Sequence, residues 1–238
     1  YRTQVYDNWK MIKKPAYGNG VSMLFYGPPG TGKTMAAQVV AREVGCALYK
    51  IDLSQIMDKY VGESEKKLKE IFENASKANI MLLFDEADSL FSKRTQVGSS
   101  NDRYANTQTA FLLQQIEEYD GVSVLTTNCM GNFDEAFKRR IQYFVSFPMP
   151  SVKQRLEIWE RVIPTSLERA EELNLSFIAE AFELSGSSIK AAATSAVFMA
   201  VGKGEKLSRE HLRLALRDEL LKQGRVYMTS DFAGYDNI

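Results

Sequence analysis

Histidine is nearly missing from this chain: His211 stands alone among 238 residues. A zinc-protease helix of the H-E-x-x-H kind needs two histidines one turn apart, so that chemistry is excluded. Cysteine is almost as scarce. Cys46 and Cys129 lie far apart in sequence and read as two reduced, buried thiols of a cytosolic protein rather than a disulfide framework. Neither sign of charge is in excess, since Lys plus Arg and Asp plus Glu number 30 each. That balance argues against a broad nucleic-acid footprint, which needs a basic surplus, and leaves only a local basic patch open. No apolar run approaches the roughly 20 residues of a membrane span, and no signal peptide is visible. These absences predict a cytoplasmic protein. The chain opens at Tyr1 rather than Met, which reads as a fragment lacking an N-terminal region.

What is present suffices for a real core: 45% of the residues are hydrophobic. Val21–Tyr26 is a short apolar run stopped by Gly27 and two prolines, the pattern of a buried strand. A helix is predicted over Thr34–Val44 with Gly45 as its C-terminal cap, and a second strand over Ala47–Asp52. Leu68, Ile71, Phe72 and Ala75 share one face of a helix over Ser64–Ala78, with Ser64 as its cap. Ile80–Phe84 is continuously apolar, as in strands covered on both faces. The polar stretch Ser92–Asn106 reads as a mobile loop, followed by a helix to about Tyr119 and strands over Val122–Thr126 and Gln142–Phe147. Five strands alternating with helices predict a three-layer α/β domain with a mostly parallel sheet. After Pro148 and Pro150 the strand signal ends. Helices are expected over Val152–Val162, Leu175–Leu184, Ser187–Val201 and Ser208–Lys222, with Gly224 as the final stop. The expected organisation is an N-terminal linker (1–20), an α/β domain (21–149), a small all-helical lid (150–224) and an unassigned tail (225–238).

Gly27-Pro28-Pro29-Gly30-Thr31-Gly32-Lys33-Thr34 matches the P-loop pattern G-x-x-x-x-G-K-[ST] in full, with a strand before it and a helix after it. The segment Pro29, Gly30, Thr31 and Gly32 lets backbone N–H groups curl around a phosphate at a helix N-terminus. Lys33 reaches the β- and γ-phosphates of ATP or ADP, and the Thr34 hydroxyl suits Mg²⁺. Downstream, Met81-Leu82-Leu83-Phe84-Asp85-Glu86 delivers two acids at the carboxyl end of a strand, the edge where ligands bind in open α/β sheets. Asp85 is the candidate metal carboxylate and Glu86 the candidate general base for an attacking water. Asp88 reads equally as a helix cap.

The P-loop followed by Phe84-Asp85-Glu86-Ala87-Asp88 resembles the AAA+ ATPases, in the group with a second region of homology, over about Val21 to Gly224. That resemblance implies a P-loop NTPase domain followed by a helical lid. It further implies that Asn128, ending Thr126-Thr127-Asn128, is the sensor 1 residue that contacts the γ-phosphate or the lytic water. Phe133–Ile141 is similar to the arginine-finger segment, and members like katanin and spastin carry two adjacent arginines there. Arg139 and Arg140 would then act on a neighbouring subunit's γ-phosphate; their other reading is a solvated charge cluster. Ser185–Lys190 resembles the sensor 2 region, with Gly186 near the base or ribose and Lys190 either at phosphate or in solvent. Tyr60-Val61-Gly62 resembles an aromatic pore loop that grips polypeptide; the alternative is local packing of Tyr60. The single ATPase module is also similar to bacterial AAA+ proteins, some of which accompany contractile injection machines.

The resemblance implies a homo-oligomeric, hexameric ring that couples Mg²⁺-dependent ATP hydrolysis to remodelling, disassembly or threading of a protein substrate. A different class, a nucleotide-gated binding module with slow turnover, competes with it. A nucleic-acid motor is disfavoured by the zero net charge.

Overall fold

The computed structural model describes residues 20–56, 63–88, 100–132, 135–226 and 228–235. They fall into two compact units: the first includes Lys33–Phe147 and the chain up to Gly27, and the second comprises Pro28–Gly32 and everything from Pro148 onward. The expected pore-loop residues Tyr60, Val61 and Gly62 lie outside the described residues.

The first unit is built on five strands: β1 (Val21–Tyr26), β2 (Ala47–Asp52), β3 (Ile80–Asp85), β4 (Val122–Thr127) and β5 (Tyr143–Ser146). They form one sheet in the order β2-β3-β4-β1-β5, and every pairing is parallel. Its helices are α1 (Lys33–Val44), the single turn α2 (Leu53–Ile56), α3 (Glu63–Ala78), α4 (Ser100–Glu118) and the short α5 (Glu135–Lys138). Side chains alternate across the sheet. Leu24, Leu82, Phe84 and Leu125 pack with Leu68 and Phe72 of α3 and Leu112 and Ile116 of α4. Phe25, Met81, Leu83 and Val124 pack instead with Ala37 and Ala41 of α1. Two covered faces explain why β3 is apolar without alternation: Met81 through Phe84 are each fully buried. The layer on the α3 side is tied together by aromatic contacts, with the Phe72 ring 5.7 Å from Phe84 and 5.5 Å from Tyr119.

The second unit is helical: α6 (Val152–Val162), α7 (Leu175–Ala181), α8 (Gly186–Lys203) and α9 (Arg209–Lys222). Alanines 192, 193, 196 and 200 of α8 are buried, in a core with Trp159, Ile178, Leu212 and Leu216. Helix ends follow the sequence chemistry. Ser151, Ser185 and Ser208 are N-caps, each of a kind worth about 1 kcal/mol. The lone histidine is used here: His211 completes the capping box of α9 through Nδ1 and is buried. Gly45, Gly204 and Gly224 each hold positive φ and close their helices with paired 6→1 and 5→2 backbone bonds.

Four expectations are corrected. Helix α3 starts at Glu63, so Ser64 sits inside its first turn rather than capping it. Helix α4 starts at Ser100, within the stretch read as loop, because Ser, Asn and Asp break a helix interior yet favour its first turn. Helix α7 ends at Ala181, and Phe182 is extended, which carries the chain to the cap of α8 while Leu184 stays buried. Both cysteines are free thiols, but Cys46 is only half-buried and Cys129 is exposed. The unassigned tail also has a place: it turns at Thr229–Phe232 and buries Phe232 and Tyr235 in the second unit's core.

Candidate functional site

All five strands run the same way, so their carboxyl ends share one edge of the sheet. In register, Tyr26 pairs with Thr127 and Asp52 with Asp85. That edge collects the chemistry-bearing residues of the first unit. Gly27 leaves β1 with φ 145°, and a Cβ there would stand 2.1 Å from the Phe147 carbonyl oxygen, so no other residue fits. Lys33 opens α1 with its side chain turned back into the protein. Its Nζ donates to the Gly27 carbonyl at 2.7 Å and to Asn128 Oδ1 at 2.9 Å. Burial pushes the Lys33 ammonium below its ordinary pKa, against the pull of the Asp88 and Asp85 carboxylates.

Asp85 ends β3. Thr34 Oγ1 lies 3.2 and 3.3 Å from its two carboxylate oxygens. Thr126 Oγ1 donates to Oδ1 at 2.5 Å, and Lys50 Nζ stands 2.6 Å from Oδ2. Burial alone would raise the Asp85 pKa, but the hydrogen bonds from Lys50, Thr126 and Thr34 and the charge of Lys50 outweigh it and hold the carboxyl below its ordinary range. The next residue, Glu86, takes φ 55°, rare for a residue with a side chain. Its N–H donates to Thr126 Oγ1 at 3.1 Å, and that of Ala87 to the Thr126 carbonyl at 2.9 Å. Thr126 thus fixes both acids. Asp88 fixes the neighbouring strand end: it accepts from Thr127 Oγ1, and from the Asn128 N–H at 2.9 Å.

Lys33, Thr34, Asp85 and Asn128 are therefore joined by hydrogen bonds, with Glu86 adjoining. The two arginines sit elsewhere in the unit, in the turn after α5, where their N–H groups bond the Glu135 and Phe137 carbonyls. They differ from each other. Arg140 pairs with Glu117 of α4 at 3.4 Å, whereas Arg139 is exposed. In the second unit, the Ser187 N–H at the start of α8 donates to the Gly30 carbonyl at 3.1 Å. A Cβ on Gly30, whose φ is 76°, would fall 2.1 Å from Ser187 Oγ. Thr31 Oγ1 donates to the Pro28 carbonyl at 2.8 Å. Gly186 opens α8, its Cβ position 3.5 Å from the Gly30 carbonyl oxygen, and Lys190 is exposed one turn on.

The oxygen donors suit magnesium. A hydroxyl and a carboxylate approach one another at the sheet edge, and the carboxylate already accepts a cation, the Lys50 ammonium. Among the described residues no group of three or more His, Cys, Asp or Glu could cage a metal. Magnesium bound by one or two protein oxygens, with water and phosphates completing its shell, needs no such cage.

Three residues at this edge escaped the sequence reading: Lys50, Thr126 in its stapling role, and Asp88 as the anchor of Asn128. Lys50 is polar within an otherwise strand-like run. Its diagonal approach to Asp85 becomes visible only when the β2–β3 register is known.

Comparison with known proteins agrees with this geometry. A family model described as "ATPase family associated with various cellular activities (AAA)" matches residues 23–149. A proteasome-activating nucleotidase of Aeropyrum pernix is 32% identical over 193 residues, 78% of this chain and 47% of that protein. A katanin p60 ATPase of the A-like 1 type from Danio rerio is 34% identical over 229 residues, 90% of this chain and 45% of the relative. The 26S proteasome regulatory subunit 4 homolog B of Arabidopsis thaliana is 32% identical over 187 residues, with 75% and 42% covered. The chain thus spans about half the length of the relatives it matches. Among the described residues, no helix is long and apolar enough to cross a membrane.

Proposed function

The chain belongs to the AAA family of ATPases, and from that premise we propose that it hydrolyses ATP with magnesium as one member of a hexameric ring, remodelling, disassembling or threading a protein substrate. The observation that carries the reading is the bonded set of Lys33, Asn128, Thr34 and Asp85, each at the carboxyl edge of a parallel sheet where phosphate chemistry is expected. In this reading Pro29 to Gly32 cradle the phosphates, and Lys33 exchanges its Gly27 and Asn128 partners for β- and γ-phosphate oxygens. Thr34 and Asp85 hold the metal. Magnesium, when bound, neutralises charge on the phosphates. Glu86 accepts the proton of the attacking water, and Asn128, freed from Lys33, orients that water or the γ-phosphate. Arg139 and Arg140 serve the nucleotide of a neighbouring protomer. Gly186 lies beside the base or ribose, and the exposed Lys190 fits the solvated role better than a phosphate contact. The relatives' names speak of proteasome activation and of katanin, which supports a protein substrate; Tyr60 and Val61 are proposed as its grip on the sequence pattern alone.

Two variants test the reading together. Lys33→Ala should abolish measurable ATP binding, and Glu86→Gln should bind ATP normally while turnover falls by about 10²-fold or more. ATP affinity unchanged in Lys33→Ala would show the site to be misassigned. Intact binding with no turnover in the unaltered protein would favour the nucleotide-gated binding module instead.

A further inference from the structure

The ammonium of Lys50 stands 2.6 Å from Asp85 Oδ2, at the carboxylate assigned to magnesium. The pair is lopsided: the Lys50 side chain is 58% exposed and that of Asp85 only 12%. The carboxylate is thus held inside the protein while its cation reaches in from solvent. Register explains the reach. Lys50 pairs with Leu83 and Asp52 with Asp85, so Lys50 and Asp85 are diagonal neighbours on one face of two parallel strands, within range of a long side chain. That face is the one covered by α1, which also supplies Thr34. The remaining partners of Asp85 are the hydroxyls of Thr34 and Thr126. Among the described residues, Lys50 is the only ammonium in hydrogen-bond contact with it.

We propose that Lys50 is a placeholder cation for the metal site: its ammonium and a divalent ion compete for the same Asp85 carboxylate, so Lys50 sets the magnesium concentration at which nucleotide is bound tightly. The inference rests on Asp85 being the magnesium carboxylate of the proposed ATPase. Two physical reasons make exchange feasible. A single positive charge on a flexible, solvent-reaching stem is a weak competitor, since exposed ion pairs contribute little. A divalent ion that also binds phosphate brings more charge to the same oxygens. The displaced ammonium does not lose all its company, because Glu86 and Asp52 also attract it. Without Lys50, a mostly buried carboxylate would lose its neutralising charge whenever metal is absent. Lys50 is therefore a positioning residue and not a catalytic one.

The test uses a fluorescent ADP analogue and reads binding, not turnover. Magnesium is titrated at fixed nucleotide into the unaltered protein and into Lys50→Met, Lys50→Arg and Asp85→Asn. Lys50→Met keeps the apolar stem but removes the competitor, so its half-saturating magnesium should fall by about two- to fivefold, the range expected of an exposed pair. Lys50→Arg keeps the charge and should stay close to the unaltered protein. Asp85→Asn should need more magnesium than either. An unchanged or raised requirement in Lys50→Met overturns the placeholder role. If Asp85→Asn leaves the requirement unchanged, the assignment of Asp85 to magnesium fails, and the inference fails with it. Since Lys50 is largely exposed, loss of the fold does not confound these outcomes.

Discussion

Glu86 holds φ 55°, a conformation that costs a residue with a Cβ of order 1 kcal/mol or more. The surroundings impose it: the Glu86 and Ala87 N–H groups are both spent on Thr126, which turns the chain sharply off β3 and projects the carboxylate away from the core. Asparagine tolerates this conformation better than glutamate. Glu86→Asn is therefore expected to unfold at the same temperature or a few degrees higher, about 2–4 °C per kcal/mol at this chain length, while turnover falls by about 10²-fold or more. Calorimetry beside an ATPase assay decides it; a lower midpoint would mean the carboxylate itself holds the turn. At this scale, legibility followed contiguity. Gly27–Thr34 and Asp85–Glu86 are adjacent in sequence, so spacing alone reveals them. Lys50, Thr126 and Asp88 act across strands, and one-dimensional spacing carries no register.

At the level of helices and strands, the apolar runs of the sheet fixed their own bounds. Val21–Tyr26 and Ala47–Asp52 match the predicted ranges, as does helix Val152–Val162, because each is bracketed by Gly, Pro or a capping Ser. Prediction failed where polar residues begin a helix, as at Ser100, and where a short segment has no period at all, as after Gly224. The latter is worth testing. Tyr235 is fully buried, packs its ring 5.5 Å from Phe177, and donates its hydroxyl to the Leu173 carbonyl at 2.8 Å. Tyr235→Ala should destabilise the second unit by about 3–5 kcal/mol. Tyr235→Phe should cost about 1–3 kcal/mol, because the Leu173 carbonyl is left without that donor. Denaturant unfolding followed by Trp159 fluorescence would report both. A cost below about 1 kcal/mol for Tyr235→Ala would show the tail to be dispensable.

For the whole molecule, the proposed ring demands that one protomer complete another's site. The two arginines are not equivalent candidates for that task, since Arg140 is committed to Glu117 within its own chain and Arg139 is exposed. Arg139→Ala is expected to bind ATP normally and to lose about 10³-fold in turnover, the lower end of what an arginine finger contributes. Mixed with Lys33→Ala protomers, it should regain activity, because the lysine variant lends its intact Arg139 to a neighbour with an intact pocket. Mixed rings that form without regaining turnover would refute action in trans. The same need for distant pieces recurs inside the chain. Pro28–Gly32 belongs to the helical unit, where the Gly30 carbonyl takes the Ser187 N–H. That unit is consequently not a contiguous cassette. A fragment cut at Pro148 would carry all four helices but lack the acceptor at the head of α8. During folding, this last piece must be supplied from the far end of the polypeptide, a non-local closure that local helix formation cannot replace.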